Sequence, residues 1–302
     1  MCAEGGTSDQ HSEVVFRADS PMGEYKPWHR NPILTQRHLA ADRPVPVTCT
    51  GHADIVKTPD GAWWGVFLGC RPTEKGFENL GRETFLLPVR WSEDGFPYFL
   101  GGEETVPVLV RVPGTRVEGT PTFGNFVVED SFDGDKLDMA WMTLRGPAEG
   151  LYALKDGALE LTCTPMRATR FETPALLLRR LQHHAFSAST RMRFAPEGSE
   201  AAGLLLYKDE RHQYFLKVCL VDGAPAIALE RSGETLSSQA LPKSFNTVDL
   251  CIASDDGLTF RFGYAVDGKE MRTLLASVDA SYLSTAVAGG FTGTTVGPYA
   301  VK

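Results

Sequence analysis

Basic charge, paired cysteines and long apolar runs are all scarce in this chain of 302 residues. Lysine and arginine number 30 against 38 aspartates and glutamates, a net charge of −8, and no basic stripe interrupts that balance. An acidic surface repels phosphate backbones, so a nucleic-acid partner is not expected, whereas neutral carbohydrate is compatible with it. None of the six cysteines stands in a C-x-x-C pair, which removes the usual zinc and redox motifs. Cys163, Cys219 and Cys251 lie in strand-like apolar runs and are expected as buried thiols. No stretch approaches the ~18 consecutive apolar residues of a spanning helix, so no membrane partner is expected. The opening MCAEGGTSDQH has neither the basic nor the apolar region of a signal peptide. The compartment stays open: a soluble protein, cytoplasmic or, in a longer form, secreted.

Helical periodicity is also nearly missing. Short alternating or apolar runs recur between Gly, Pro, Asn and Asp turn signals, which is an all-β pattern. In the first part strands are expected near Val14–Ala18, His52–Lys57, Trp63–Gly69, Thr84–Trp91 and Pro97–Phe99. Pro59-Asp60-Gly61 and Glu93-Asp94-Gly95 mark turns between them. The run from Val112 to Gly124 is rich in Pro, Gly and Thr and reads as an interdomain linker. The expected organisation is therefore a domain over residues 1–112, a linker over 113–125 and a second domain over 126–302. The second domain carries many short strands at near-even spacing, from Phe126–Phe132 to Thr285–Thr292, and reads as a jelly-roll β-sandwich.

Several motifs stand in a characteristic order. They are Ala3-Glu4-Gly5-Gly6-Thr7 followed by His11, Asn31-Pro32-Ile33-Leu34-Thr35, Thr50-Gly51-His52-Ala53-Asp54, Trp63–Gly69, and Leu80-Gly81-Arg82-Glu83-Thr84. Further on come Phe132-Asp133-Gly134-Asp135-Lys136-Leu137 with Trp141, and Gly290-Phe291-Thr292-Gly293. Together they resemble glycoside hydrolase family 43, the β-xylosidase and α-L-arabinofuranosidase group, along nearly the whole chain. The resemblance implies part of a five-bladed β-propeller followed by a concanavalin-like β-sandwich. It implies hydrolysis of O-glycosyl bonds in xylo-oligosaccharide or arabinoxylan, with inversion.

Inverting hydrolysis needs two carboxyl groups roughly 6.5–9.5 Å apart, one protonating the leaving oxygen and one activating water. Glu4 matches the family's general acid. The aspartates that the family uses as base and as tuner of the acid come from earlier blades, so the general base is absent from this chain and a fragment is expected. The resemblance places Arg82 on the sugar next to the cleaved bond, oriented by Glu83, with His11 beside the site. It assigns Phe291 to the sandwich segment that closes the pocket, where Thr295 replaces a second aromatic residue. It makes His52 the group that touches a bound calcium ion, although one imidazole is a weak site for a cation that prefers oxygen. No cofactor is required by the reaction itself. Trp28, in a Pro-flanked loop, and one of Trp63 and Trp64 are lesser candidates for stacking on sugar. The alternative reading is a non-catalytic carbohydrate-binding or interaction sandwich. Unpaired sheet edges of a partial propeller would invite another chain, so a homo-oligomer is left open.

Overall fold

The computed structural model describes residues 1–302 apart from 101–103, 117, 119–122 and 148. Two compact units are present: residues 1–72 with 82–128, and residues 73–81 with 129–302. Part of the predicted linker, residues 117 and 119–122, lies outside the described residues.

The first unit holds β1 (Cys2–Glu4), β2 (Ser12–Val14), β3 (Phe16–Arg17), β4 (Lys26–Pro27), β5 (Thr48–Lys57), β6 (Trp63–Cys70), β7 (Arg82–Pro88), β8 (Arg90–Trp91) and β9 (Pro97–Tyr98). Strands β5, β6 and β7 form an antiparallel sheet, and the short strands pair as β1–β2, β3–β4 and β8–β9. Alternation along β6 turns Phe67 into a core with Phe85, Leu87, Val89 and Phe99. The expected strand near Val14–Ala18 is broken instead into β2 and β3. Trp28 is not exposed but buried among Val15, Phe96 and Phe99, with its ring stacked on Phe96 at 5.8 Å. Its indole N–H donates to Asp94 Oδ2 at 3.1 Å, which satisfies the one polar group that such a ring buries. Trp64 is buried, while Trp63 is half-buried and meets Trp91 edge-on.

The second unit contains β10 (Tyr152–Lys155), β11 (Ala158–Leu161), β12 (Ala175–Leu176), β13 (Arg179–Arg180), β14 (Phe186–Met192), β15 (Ala201–Asp209), β16 (His212–Val221), β17 (Ala224–Arg231), β18 (Glu234–Ala240), β19 (Val248–Ser254), β20 (Thr259–Val266), β21 (Arg272–Asp279) and β22 (Thr295–Val301). One sheet has the order β12-β22-β15-β16-β17-β18, with β13 also on β22, and the other has the order β14-β19-β20-β21. Leu204, Leu206, Leu216 and Ile227 join Leu250, Ile252, Phe260 and Phe262 in one core. Leu205, Tyr207 and Phe215 point the other way, into a second core with Leu176, Leu178 and Tyr299. The larger sheet is thus covered on both faces, which is why β15 reads as an unbroken apolar run rather than an alternating one.

Two expected strands are not there. Residues 126–132 are irregular, because the Asp130 carboxylate takes the Phe132 amide (2.9 Å) and the Trp141 indole N–H (2.7 Å) in a turn with Phe132 at φ +55°. The span 285–292 is a short helix, α1 (Thr285–Ala288), followed by Gly289 and Gly290 at φ +74° and +70°. Two consecutive left-handed glycines end the helix and cannot continue as a strand. The expected buried thiols Cys163, Cys219 and Cys251 are only half-buried, and the buried ones are Cys49 and Cys70. Among the described residues no helix is long and apolar enough to cross a membrane.

Candidate functional site

Strand β1 ends on Glu4, and the chain then turns back through Gly5 and Gly6 to β2. Both glycines are left-handed, at φ +75° and +77°. Gly5 is required twice over, since a Cβ there would lie 1.8 Å from the Gln10 carbonyl oxygen. Gly6 faces open space and needs only its backbone freedom. The pairing of β1 with β2 sets Glu4 opposite Ser12, whose hydroxyl donates to Glu4 Oε1 at 3.2 Å. Arg37 donates to the Gln10 carbonyl at 3.3 Å and brings its guanidinium to 3.9 Å from Glu4 Oε1. The Glu4 side chain is 45% exposed, within reach of a ligand. Arg82, half-exposed at the start of β7, donates from Nη2 to the Thr7 carbonyl at 2.9 Å. The Gly-rich turn thus follows Glu4 and is met at Thr7 by Arg82. Both oxygens of Glu83 receive Arg71, at 2.8 and 2.6 Å, in a bidentate pair.

Beneath this turn β5 is irregular in two places. Its register to β6 shifts between Thr48 and Gly51 and again between Gly51 and Asp54. A left-handed residue sits at each shift, Cys49 at φ +54° and His52 at φ +56°. Such bulges re-aim side chains. Two buried polar groups of β2 and the residue before it hold them. The Cys49 carbonyl can only accept, so His11 Nδ1 carries the proton and donates to it at 2.9 Å. The other ring nitrogen lies where Gly51 has no side chain, 2.8 Å from the position of a Cβ. His11 is thus a buried support, 3% exposed, and not a surface group awaiting sugar. Glu13, two residues on, is 2% exposed and accepts the Ala53 amide at 2.9 Å. In the sequence Glu13 is inconspicuous, because a single acid inside a short apolar run carries no signature of its own. Its one signal is the two-residue spacing from His11, which puts both on one face of a strand.

Burial pushes the Glu13 carboxyl above its ordinary value of 4.5, against the backbone amides of Ala53 and His52, which pull it down. The folded protein therefore holds this proton more tightly than the unfolded chain. Stability from this group is complete below pH 4.5 and is lost as pH rises through the raised folded value. Glu13→Gln is expected to flatten that fall. Urea midpoints of the full chain between pH 4 and pH 7 check it, and an equal slope in both proteins would refute it.

His52 itself is exposed. Among the described residues no set of three His, Cys, Asp or Glu ligand atoms gathers around it. The carboxylate behind it is engaged with backbone amides. The residues therefore do not build the shell of six to eight oxygens that calcium takes. Phe291 belongs to the second unit. It is 55% exposed, on the segment Gly290–Gly293, which packs so closely that a Cβ on Gly293 would meet the Leu80 carbonyl oxygen at 2.0 Å. The Lys208 ammonium donates to the Thr292 carbonyl and ties the same segment to β15. Thr295, at the position where the resemblance implies a second aromatic residue, donates its hydroxyl to the Tyr207 carbonyl at 2.9 Å.

Comparison with known proteins agrees with this division. Residues 1–97 match the description "Glycosyl hydrolases family 43", and residues 129–302 match "Beta xylosidase C-terminal Concanavalin A-like domain". A non-reducing end alpha-L-arabinofuranosidase of Bacteroides ovatus is 31% identical over 99% of this chain and 56% of its own length. A xylosidase/arabinosidase of Butyrivibrio fibrisolvens is 31% identical over 99% of this chain and 57% of its own length. A solved GH43_12 structure retrieved from capybara gut metagenome superposes with a TM-score of 0.87 at 34% identity, covering 100% of this chain and 57% of that one. The chain thus spans little more than half the length of these relatives.

Proposed function

Because this chain belongs to glycosyl hydrolases family 43, we propose that it forms part of a glycosidase releasing xylose or arabinofuranose, with inversion, from xylan-derived oligosaccharides. The observation that carries this reading is the Gly-rich turn that follows the exposed Glu4 and receives Arg82 at the Thr7 carbonyl. A half-exposed guanidinium offers a planar fork of donors to neighbouring sugar hydroxyls. Glu4 would protonate the leaving oxygen. The second carboxyl group, which activates water, is not among the residues assigned in this chain, so the chain alone is expected to bind sugar without turnover. Water and two carboxyl groups suffice for the chemistry.

The contacts of Glu4 with Ser12 and Arg37 also fit a carboxylate that only binds substrate. Leaving-group chemistry separates the two roles. Take the chain fused behind the preceding part of the Bacteroides ovatus relative, and compare it with its Glu4→Gln variant. A general acid is dispensable when the leaving group is already acidic. The variant should therefore lose turnover on xylobiose, by a factor on the order of 10²–10⁴, and far less on the dinitrophenyl xyloside. An equal loss on both would remove Glu4 as the acid. Release of pentose by the unfused chain would overturn the division of labour.

A further inference from the structure

We propose that Cys49 and Cys70 join in a disulfide when the chain folds under oxidising conditions. Both thiols are buried in the first unit, 4% and 1% exposed, and their sulfur atoms lie within 4.8 Å of each other. No short cysteine motif marks the pair; the sheet alone brings it together. Cys70, at the end of β6, is paired on one side with Thr48 of β5 and on the other with Arg82 of β7. The Thr48 hydroxyl also donates to the Cys70 carbonyl at 3.5 Å. Cys49 follows Thr48, and in a plain strand it would point to the opposite face of the sheet. Here the register shifts directly after Thr48, and Cys49 is left-handed at φ +54°. Such a bulge re-aims a side chain, and this one brings the Cys49 sulfur to that of Cys70. Glycine would take that backbone at no steric cost, yet a cysteine stands there. Neighbouring strands lie about 4.7–4.9 Å apart, inside the ~4.4–6.8 Å between Cα atoms that a disulfide spans. Rotation about the two Cα–Cβ bonds can therefore close the pair without moving a strand.

The chemistry is thiol–disulfide exchange with a small-molecule disulfide such as oxidised glutathione. One cysteine thiolate of the unfolded chain attacks it, forms a mixed disulfide and releases one glutathione thiolate. Folding then pairs β5 with β6, and the second thiolate attacks the protein sulfur of the mixed disulfide. The bond to glutathione breaks and the Cys49–Cys70 bond forms. Two electrons pass from the protein to the glutathione pair, and the two thiol protons end on the two glutathione thiols. Burial afterwards keeps attacking thiolates away from the bond. The bond also pins the bulge whose Cys49 carbonyl receives His11 Nδ1 at 2.9 Å.

The full chain is unfolded in urea and refolded either with oxidised and reduced glutathione or with dithiothreitol alone. Remaining thiols are trapped with N-ethylmaleimide, and the protein is digested without reduction and mapped by mass spectrometry. Cys49→Ser, Cys70→Ser and Cys2→Ser, the last at an exposed cysteine, are treated alike. The oxidised parent is expected to yield one linked pair of peptides carrying Cys49 and Cys70, and to have lost two hydrogens. Its urea midpoint should lie above that of the reduced parent. Closing a loop of roughly 20 residues lowers the unfolding equilibrium constant on the order of a hundredfold. Cys2→Ser should keep both the linked pair and the gain in midpoint, and the other two variants should lose both. If neither of those two folds, the peptide map and midpoints of the parent decide alone. The proposal is overturned if Cys49 and Cys70 are recovered with trapped thiols after oxidative refolding, or linked to other cysteines. It is equally overturned if the linked form unfolds at lower urea than the reduced one, since the bond would then not fit the native sheet.

Discussion

Arg82→Ala in the fused, complete hydrolase should lower kcat/KM for a nitrophenyl pentoside at least about a hundredfold. Two hydrogen bonds from a charged donor are each worth about 1.5–3 kcal/mol, and every 1.4 kcal/mol is tenfold. The guanidinium is anchored through the Thr7 carbonyl. Steady-state kinetics will show how the loss divides. Contacts made equally in ground and transition states raise KM, and contacts that tighten in the transition state lower kcat. Arg82→Lys should recover little, because an ammonium lacks the fork. The control is Arg71→Ala, which breaks the pair with Glu83 and should cost stability more than catalysis. Equal loss from Arg71→Ala and Arg82→Ala would mean that the segment matters only as scaffold.

Phe262→Ala should destabilise the second unit by about 3–5 kcal/mol. Phe262 is fully buried between the two sheets, with Tyr214 at 5.8 Å and Phe260 at 6.3 Å. Its backbone is paired to Ile252 on β19 and Leu275 on β21, so neither neighbour can move in to fill the space. For a unit of this size each kcal/mol lowers the midpoint by about 2–4 °C, and the expected shift is about 6–20 °C. Calorimetry on the full chain measures it. Met139→Ala, at a side chain 98% exposed, should stay within about 0.5 kcal/mol of the parent. A Phe262→Ala shift no larger than that of Met139→Ala would show that the sheets do not close over this ring.

The strands of the second unit were legible wherever both faces of a strand were apolar or cleanly alternating, as in β15, β16 and β20. They were misread where turn residues sat inside an apolar run. Phe126–Phe132 looked like a strand, but Asp130 caps a turn there. Thr285–Thr292 looked like another, but Gly289 and Gly290 take the left-handed region. In the first unit the motifs single out Glu4 and Arg82 as candidates, and local chemistry accounts for Gly5 and Gly6 after Glu4. The partners of those residues were not legible, as the bidentate pair of Glu83 with Arg71 shows.

The residues alone settle an all-β chain of two dissimilar parts, its family, and the Gly-rich turn that carries its candidate acid, because alternation, turn chemistry and backbone freedom act over a few neighbouring positions. Only the tertiary structure decides that Trp28 is core, that His11 is a support, and that Glu13 braces β5 at Ala53. Those assignments depend on which side chains meet across strands 38 and 40 residues apart. Over that distance a one-residue change of register would exchange every buried face for an exposed one.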